Sequence, residues 1–84
     1  MKPYRVAIDL EGVESLRRLN RQEMERLLDQ LGRLGHDPFR LGDYASQDSV
    51  GRPVQTIILG RNAITFWTDP AAREVRIVKI EPAD

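Results

Sequence analysis

The sequence has no cysteine, so neither disulfides nor thiolate chemistry is open to it. It has no apolar run approaching the roughly 20 residues that a membrane helix requires. The opening MKPYRVAIDLEG lacks the long apolar core and the small-residue cleavage site of a secretory leader. A cytoplasmic chain with no membrane association is the expectation. Charge surplus is missing as well: 13 basic and 13 acidic residues give a formal net charge of +0. Nucleic-acid binders usually carry a basic excess, because phosphate neutralisation supplies most of their sequence-independent affinity. A local basic patch is therefore the only electrostatic route to RNA or DNA. Glycine-rich phosphate loops, metal-ligand spacings and carboxylate pairs at catalytic spacing are also lacking. No cofactor and no metal are expected.

What is present suits a small folded domain. The 84 residues are 40% hydrophobic and 31% charged, an ordinary globular balance. A chain this short is close to the limit at which one core suffices, and a single domain over residues 1–84 is expected. Internal repeats, low-complexity segments and linkers are lacking.

The most regular stretch is Gly51 to Ile80. Val54 to Leu59, Ile64 to Thr68 and Val75 to Ile80 are three runs rich in β-branched and aromatic residues. Gly60-Arg61-Asn62 separates the first two and tolerates positive φ. Asp69-Pro70-Ala71-Ala72 separates the last two, with Pro70 presetting the turn. Connections so brief demand antiparallel pairing, since parallel strands need a long crossover. The spacing Val75-x-Ile77-x-x-Ile80 breaks strict alternation and suggests a bulge that re-aims Lys79.

Upstream, Tyr4 to Leu10 alternates through Tyr4, Val6 and Ile8 as a half-buried strand, ended by Glu11-Gly12. Val13, Leu16 and Leu19 then mark one stripe of a short helix. Asn20 with Glu23 three residues later is a helix start, and Met24, Leu27, Leu28, Leu31 and Leu34 predict an amphipathic helix over 21–34. Gly35 is the expected stop. Asp43 to Gln47 reads as a short edge strand or a loop, Asp48 to Gly51 as a turn, and Pro82 as the end of the last strand. The fold class is α+β: an N-terminal strand, a helical hairpin, then a three- or four-stranded antiparallel meander with the hairpin on one face.

This order, with particular residues, resembles the RelE/ParE superfamily of toxins from type II toxin–antitoxin modules. The resemblance spans nearly the whole chain. It rests on Tyr4-Arg5-Val6, Leu16 and Leu19, the Leu-rich second helix, Asp37-Pro38 with Gly42-Asp43, Gly51-Arg52, Ile64 to Asp69, and Val75-x-Ile77-x-x-Ile80. It implies a cognate antitoxin as partner. For RelE-type members it implies ribosome-dependent cleavage of mRNA, and for ParE-type members poisoning of DNA gyrase. A relative that only binds a partner is the third alternative.

The nuclease reading needs cations on the open face of the sheet to stabilise charge at the scissile phosphate. Arg52, Arg76 and Lys79 are the candidate catalytic residues it implies here. Asn62-Ala63 and Glu81-Pro82-Ala83-Asp84 stand where relatives carry basic or aromatic groups. Against catalytic roles stand simpler ones: Arg52 as a solvated turn residue, and Glu74–Arg76 and Lys79–Glu81 as pairs along one strand face. Arg61 at a hairpin tip limits edge association. His36 is positioned to meet helix C-terminal carbonyls. Phe66 and Trp67 must face opposite sides, and core or helix cover is expected for both.

Overall fold

The structure is a computed structural model and describes residues 2–83. Its elements are β1 (Arg5–Ile8), α1 (Leu10–Leu16), α2 (Arg21–Leu34), β2 (Tyr44–Gln47), β3 (Pro53–Leu59), β4 (Asn62–Asp69) and β5 (Glu74–Pro82). The five strands form one sheet in the order β1-β5-β4-β3-β2. Strands β2 to β5 are the expected antiparallel meander, joined by short turns. β1 joins them in parallel beside β5, with Val6 opposite Val75 and Ile8 opposite Ile77. The chain between them, which runs through both helices and then β2 to β4, is ample for the long connection that parallel pairing requires.

Helix α2 begins as its residues dictate. The Asn20 side chain accepts a hydrogen bond from the Glu23 backbone N–H at 2.8 Å, satisfying one orphan donor of the first turn. Such a cap contributes about 1 kcal/mol. The helix buries Leu27, Leu31 and Leu34, and exposes Leu28 at the edge of its stripe. It ends at Gly35, where the reason is space rather than conformation. Gly35 keeps right-handed φ, but a Cβ there would run into the Tyr4 backbone carbonyl.

Helix α1 departs from expectation in both directions. It starts at Leu10, so Glu11-Gly12 lies within the helix and does not end the strand. Gly12 is buried because α1 lies close on β5: a Cβ would come 2.8 Å from an Ile8 methyl and 3.7 Å from Ile80. Leu16 is buried, while Val13 is on the outer side and Leu19 falls beyond the last turn. The three-residue stripe therefore collapses to Leu16, with Leu19 partly covered in the following loop.

The core lies between the helices and one face of the sheet. Ile57, Ile64, Phe66, Val75, Ile77 and Ile80 meet Leu16, Leu27, Leu31 and Leu34, with Val6 and Ile8 packed at the margin. Burial of each large side chain contributes about 1.5–3 kcal/mol, which is how so short a chain offsets its conformational entropy. Among the described residues, the other sheet face carries no helix.

The β3–β4 hairpin pairs Leu59 with Asn62, leaving Gly60 and Arg61 as a two-residue loop. Only Gly60 has positive φ (62°), the pattern of a type II′ turn that matches strand twist. Between β4 and β5 the register shifts at Thr65/Phe66: Thr65 faces Lys79 and Phe66 faces Ile77, leaving Val78 without a partner. This is the expected bulge, and it returns Lys79 to the open face. Pro82 ends the strand as expected, opposite Asn62.

Candidate functional site on the open sheet face

Directly opposed residues of an antiparallel pair share a face. Arg76 opposes Trp67, and Lys79 opposes Thr65, which in turn opposes Thr56. All five stand on the face away from the helices, since their neighbours Ile64, Phe66 and Ile77 are in the core. The hydroxyls of Thr56 and Thr65 meet across the strands at 3.2 Å. Arg52 arrives from the turn before β3. The Asp48 carboxylate accepts the backbone N–H groups of Val50 and Arg52 at 3.0 and 2.9 Å and so shapes that turn.

Arg52 and Lys79 line one concavity of about 610 Å³ on this face. Arg76 adjoins it through Asp9, which belongs to the same wall. The three sequence-predicted residues are therefore neighbours, but each is already engaged. Arg52 Nε lies 3.1 Å from Asp48. Arg76 lies 2.8 Å from Asp9 and 3.3 Å from Glu74, and Lys79 lies 3.5 Å from Glu81. The in-strand pairs Glu74–Arg76 and Lys79–Glu81 both form. Four carboxylates of the wall (Asp9, Glu11, Asp48, Glu81) outnumber its two cations.

The hydrogen bond from Arg76 to Asp9, reinforced by the charges of Asp9 and Glu74, raises the guanidinium pKa above its ordinary value. Stability from a raised cationic group is present below its unfolded pKa and is lost only as pH climbs through the folded one. Arg76 is therefore a permanent cation at any working pH.

Trp67 corrects an expectation. Phe66 is core, but Trp67 is half-buried on the open face, with the Arg52 guanidinium 4.4 Å from its ring centroid. Its indole Nε1 is buried without a hydrogen-bond partner among the described residues. The Arg52–Trp67 stack was not legible from alternation, which gives a side chain's face but not the reach of a turn residue toward it. His36 also differs in detail: its backbone N–H, not its ring, donates to the Arg33 carbonyl at 3.1 Å. Among the described residues no cluster of acidic, histidine or cysteine groups could hold a metal. No helix there is long and apolar enough to cross a membrane.

By sequence alone, no protein-family profile and no curated protein matches the chain. Solved structures do match. The RelBE2 toxin–antitoxin complex of Mycobacterium tuberculosis superposes with a TM-score of 0.80 at 17% identity, over 95% of this chain and 98% of that one. The archaeal RelE–RelB complex of Pyrococcus horikoshii gives 0.75 at 19% identity, over 95% and 94%. The intact RelBE toxin–antitoxin complex of E. coli gives 0.71 at 16% identity, over 96% and 98%. With an α+β architecture matched along almost its whole length, the chain has the RelE-like toxin fold.

Proposed function

We propose that residues 1–84 form a single domain, the toxin component of a type II toxin–antitoxin module, held in check in the cytoplasm by a cognate antitoxin. The supporting observation is the likeness over nearly the full chain to RelE proteins, three of them in complexes with antitoxins. Fold alone does not fix activity, so the working surface is argued from its residues. The open face gathers Arg52 and Lys79 in one concavity with Arg76 beside it, and these cations are suited to a phosphate. On this reading the target is mRNA on the ribosome. Arg52, Arg76 and Lys79 stabilise charge at the scissile phosphate while a wall carboxylate takes the 2′-hydroxyl proton. The 2′-oxygen attacks phosphorus to form a 2′,3′-cyclic phosphate as the bond to the 5′-oxygen breaks, and the 5′-oxygen leaves as a hydroxyl with a proton from water.

Each cation must exchange a carboxylate for the phosphate. Free RNA has little means to force that exchange, whereas a message fixed by the ribosome is presented at high effective concentration. On this reading the ribosome's part is to position the message, since exposed ion pairs alone are weak.

One observation favours a second reading. Four carboxylates against two cations make the wall net acidic, which suits a protein target, as in a gyrase-type poison, or a catalytically silent partner-binding relative. Induced expression in a bacterial host separates the readings. Growth arrest relieved by co-expressing the small neighbouring reading frame supports the toxin, and message cut at codon-phased positions supports the nuclease. Arrest with intact message and DNA breaks supports the gyrase-type alternative; undisturbed growth supports the silent one.

A further inference from the structure

A second recess lies between α2 and the tip of the β3–β4 hairpin. It encloses about 340 Å³ and shares no residue with the open-face concavity. Two arginines, Arg26 and Arg61, are among the residues that line it. Among the described residues neither has a carboxylate within ion-pair distance, whereas Arg52, Arg76 and Lys79 all do. Local sequence explains the difference on the helix. Arg21 pairs with Glu25 and Arg33 with Asp29, each four residues apart, but the corresponding neighbours of Arg26 are Gln22 and Gln30. On the hairpin, the type II′ turn projects Arg61 at its tip. The Ala83 backbone N–H donates to the Arg61 carbonyl at 2.9 Å and holds that tip in place.

We infer that this recess binds a carboxylate-bearing segment of a partner protein, its acidic side chains engaging Arg26 and Arg61. The complement is read from the lining. Guanidinium forks match carboxylates in a bidentate manner. The amides of Gln30 and Asn62, also in the lining, can serve a peptide backbone, and half-buried Leu59 offers an apolar rest for a neighbouring side chain. Glu23 at the same recess opposes any anion, so it limits the occupant to a segment with few, spaced carboxylates rather than a phosphodiester chain with a charge on every nucleotide. The inference goes beyond the toxin reading, for it requires neither toxicity nor the open face. Because the two sites share no lining residue, a partner can sit here while the open face is free.

The test is NMR titration of the isotope-labelled chain with three probes. These are a capped peptide in which glutamates flank a leucine, the same peptide with glutamines, and a short oligouridine. The acidic peptide is expected to shift amides at 26–30 and 59–62 in a saturable manner, and the glutamine peptide to leave them in place. The double variant Arg26→Gln/Arg61→Gln is expected to weaken binding about fivefold, as loss of two exposed charge pairs would, with Arg33→Gln as an unaffected control. All variants are exposed, and their spectra report directly that the fold persists. Absence of shifts at these amides, an equal response to the glutamine peptide, or binding of oligouridine there instead would overturn the proposal.

Discussion

Asp9 occupies the N-cap position of α1 yet caps nothing, because its Oδ1 accepts from the Arg76 guanidinium at 2.8 Å instead. The pair joins residues 67 apart in sequence and ties the β1–α1 junction to the first part of β5. Both side chains are more than one-third exposed, so its worth is that of a surface pair, and salt weakens it. Asp9→Asn is expected to lower the urea midpoint slightly at low salt and less at high salt. Arg76→Gln should leave Asp9 free to cap α1 and recover part of that loss. A double-mutant cycle in urea measures the coupling. Since the Arg76 pKa is raised, its share of the coupling stays constant from neutral to moderately alkaline pH.

The single tryptophan reports on Arg52. With the guanidinium stacked over Trp67, the indole is shielded from water on the open face. Arg52→Gln is expected to shift Trp67 emission to longer wavelength with little change in unfolding midpoint. An unchanged spectrum would mean that the stack is not the dominant arrangement in solution.

Phe66 is 1% exposed at the centre of the core, between Gln55 on β3 and Ile77 on β5. Phe66→Ala removes its transfer energy and leaves a cavity, at a cost of about 3–5 kcal/mol. For a domain this small that is a large share of total stability. Circular dichroism at 37 °C should find Phe66→Ala largely unfolded and Phe66→Leu folded.

Two glycines should respond with opposite sign. Nothing lies within 4 Å of a Cβ at Gly32, which is in the interior of α2, so Gly32→Ala should stabilise by about 0.5–1 kcal/mol through helix propensity. Gly42 sits against the Thr56 backbone, where a Cβ would collide with the carbonyl group, and its N–H donates to Gln55 at 2.8 Å. Gly42→Ala should destabilise by about 1–3 kcal/mol. Thermal unfolding of the two variants checks both signs.

Much of this fold is written in local pattern. Helix α2 was legible to the residue because an N-cap, a full apolar stripe and a terminating glycine agree. The meander was legible because period-two runs alternate with turn residues. Failures arose where the cause is distant in sequence. Gly12 looks like a breaker in isolation and becomes a packing residue only once β5 lies beneath α1. Parallel pairing of β1 with β5 has no local signature. The candidate cations were singled out by type and by place on or just before a strand, but their partners Asp9 and Asp48 and the stack on Trp67 depend on turns and chain crossings. Arg26 escaped notice because an unpaired charge on a helix is visible only when every neighbour has been placed.

Cell-free bacterial translation of one reporter, with purified protein added and mRNA 5′ ends mapped, tests the role of the open face most directly. Cuts appearing only when ribosomes are present, and lost in Arg52→Gln/Arg76→Gln/Lys79→Gln, are the expected result. Undiminished translation with intact message, or cleavage that survives the triple substitution, would contradict it.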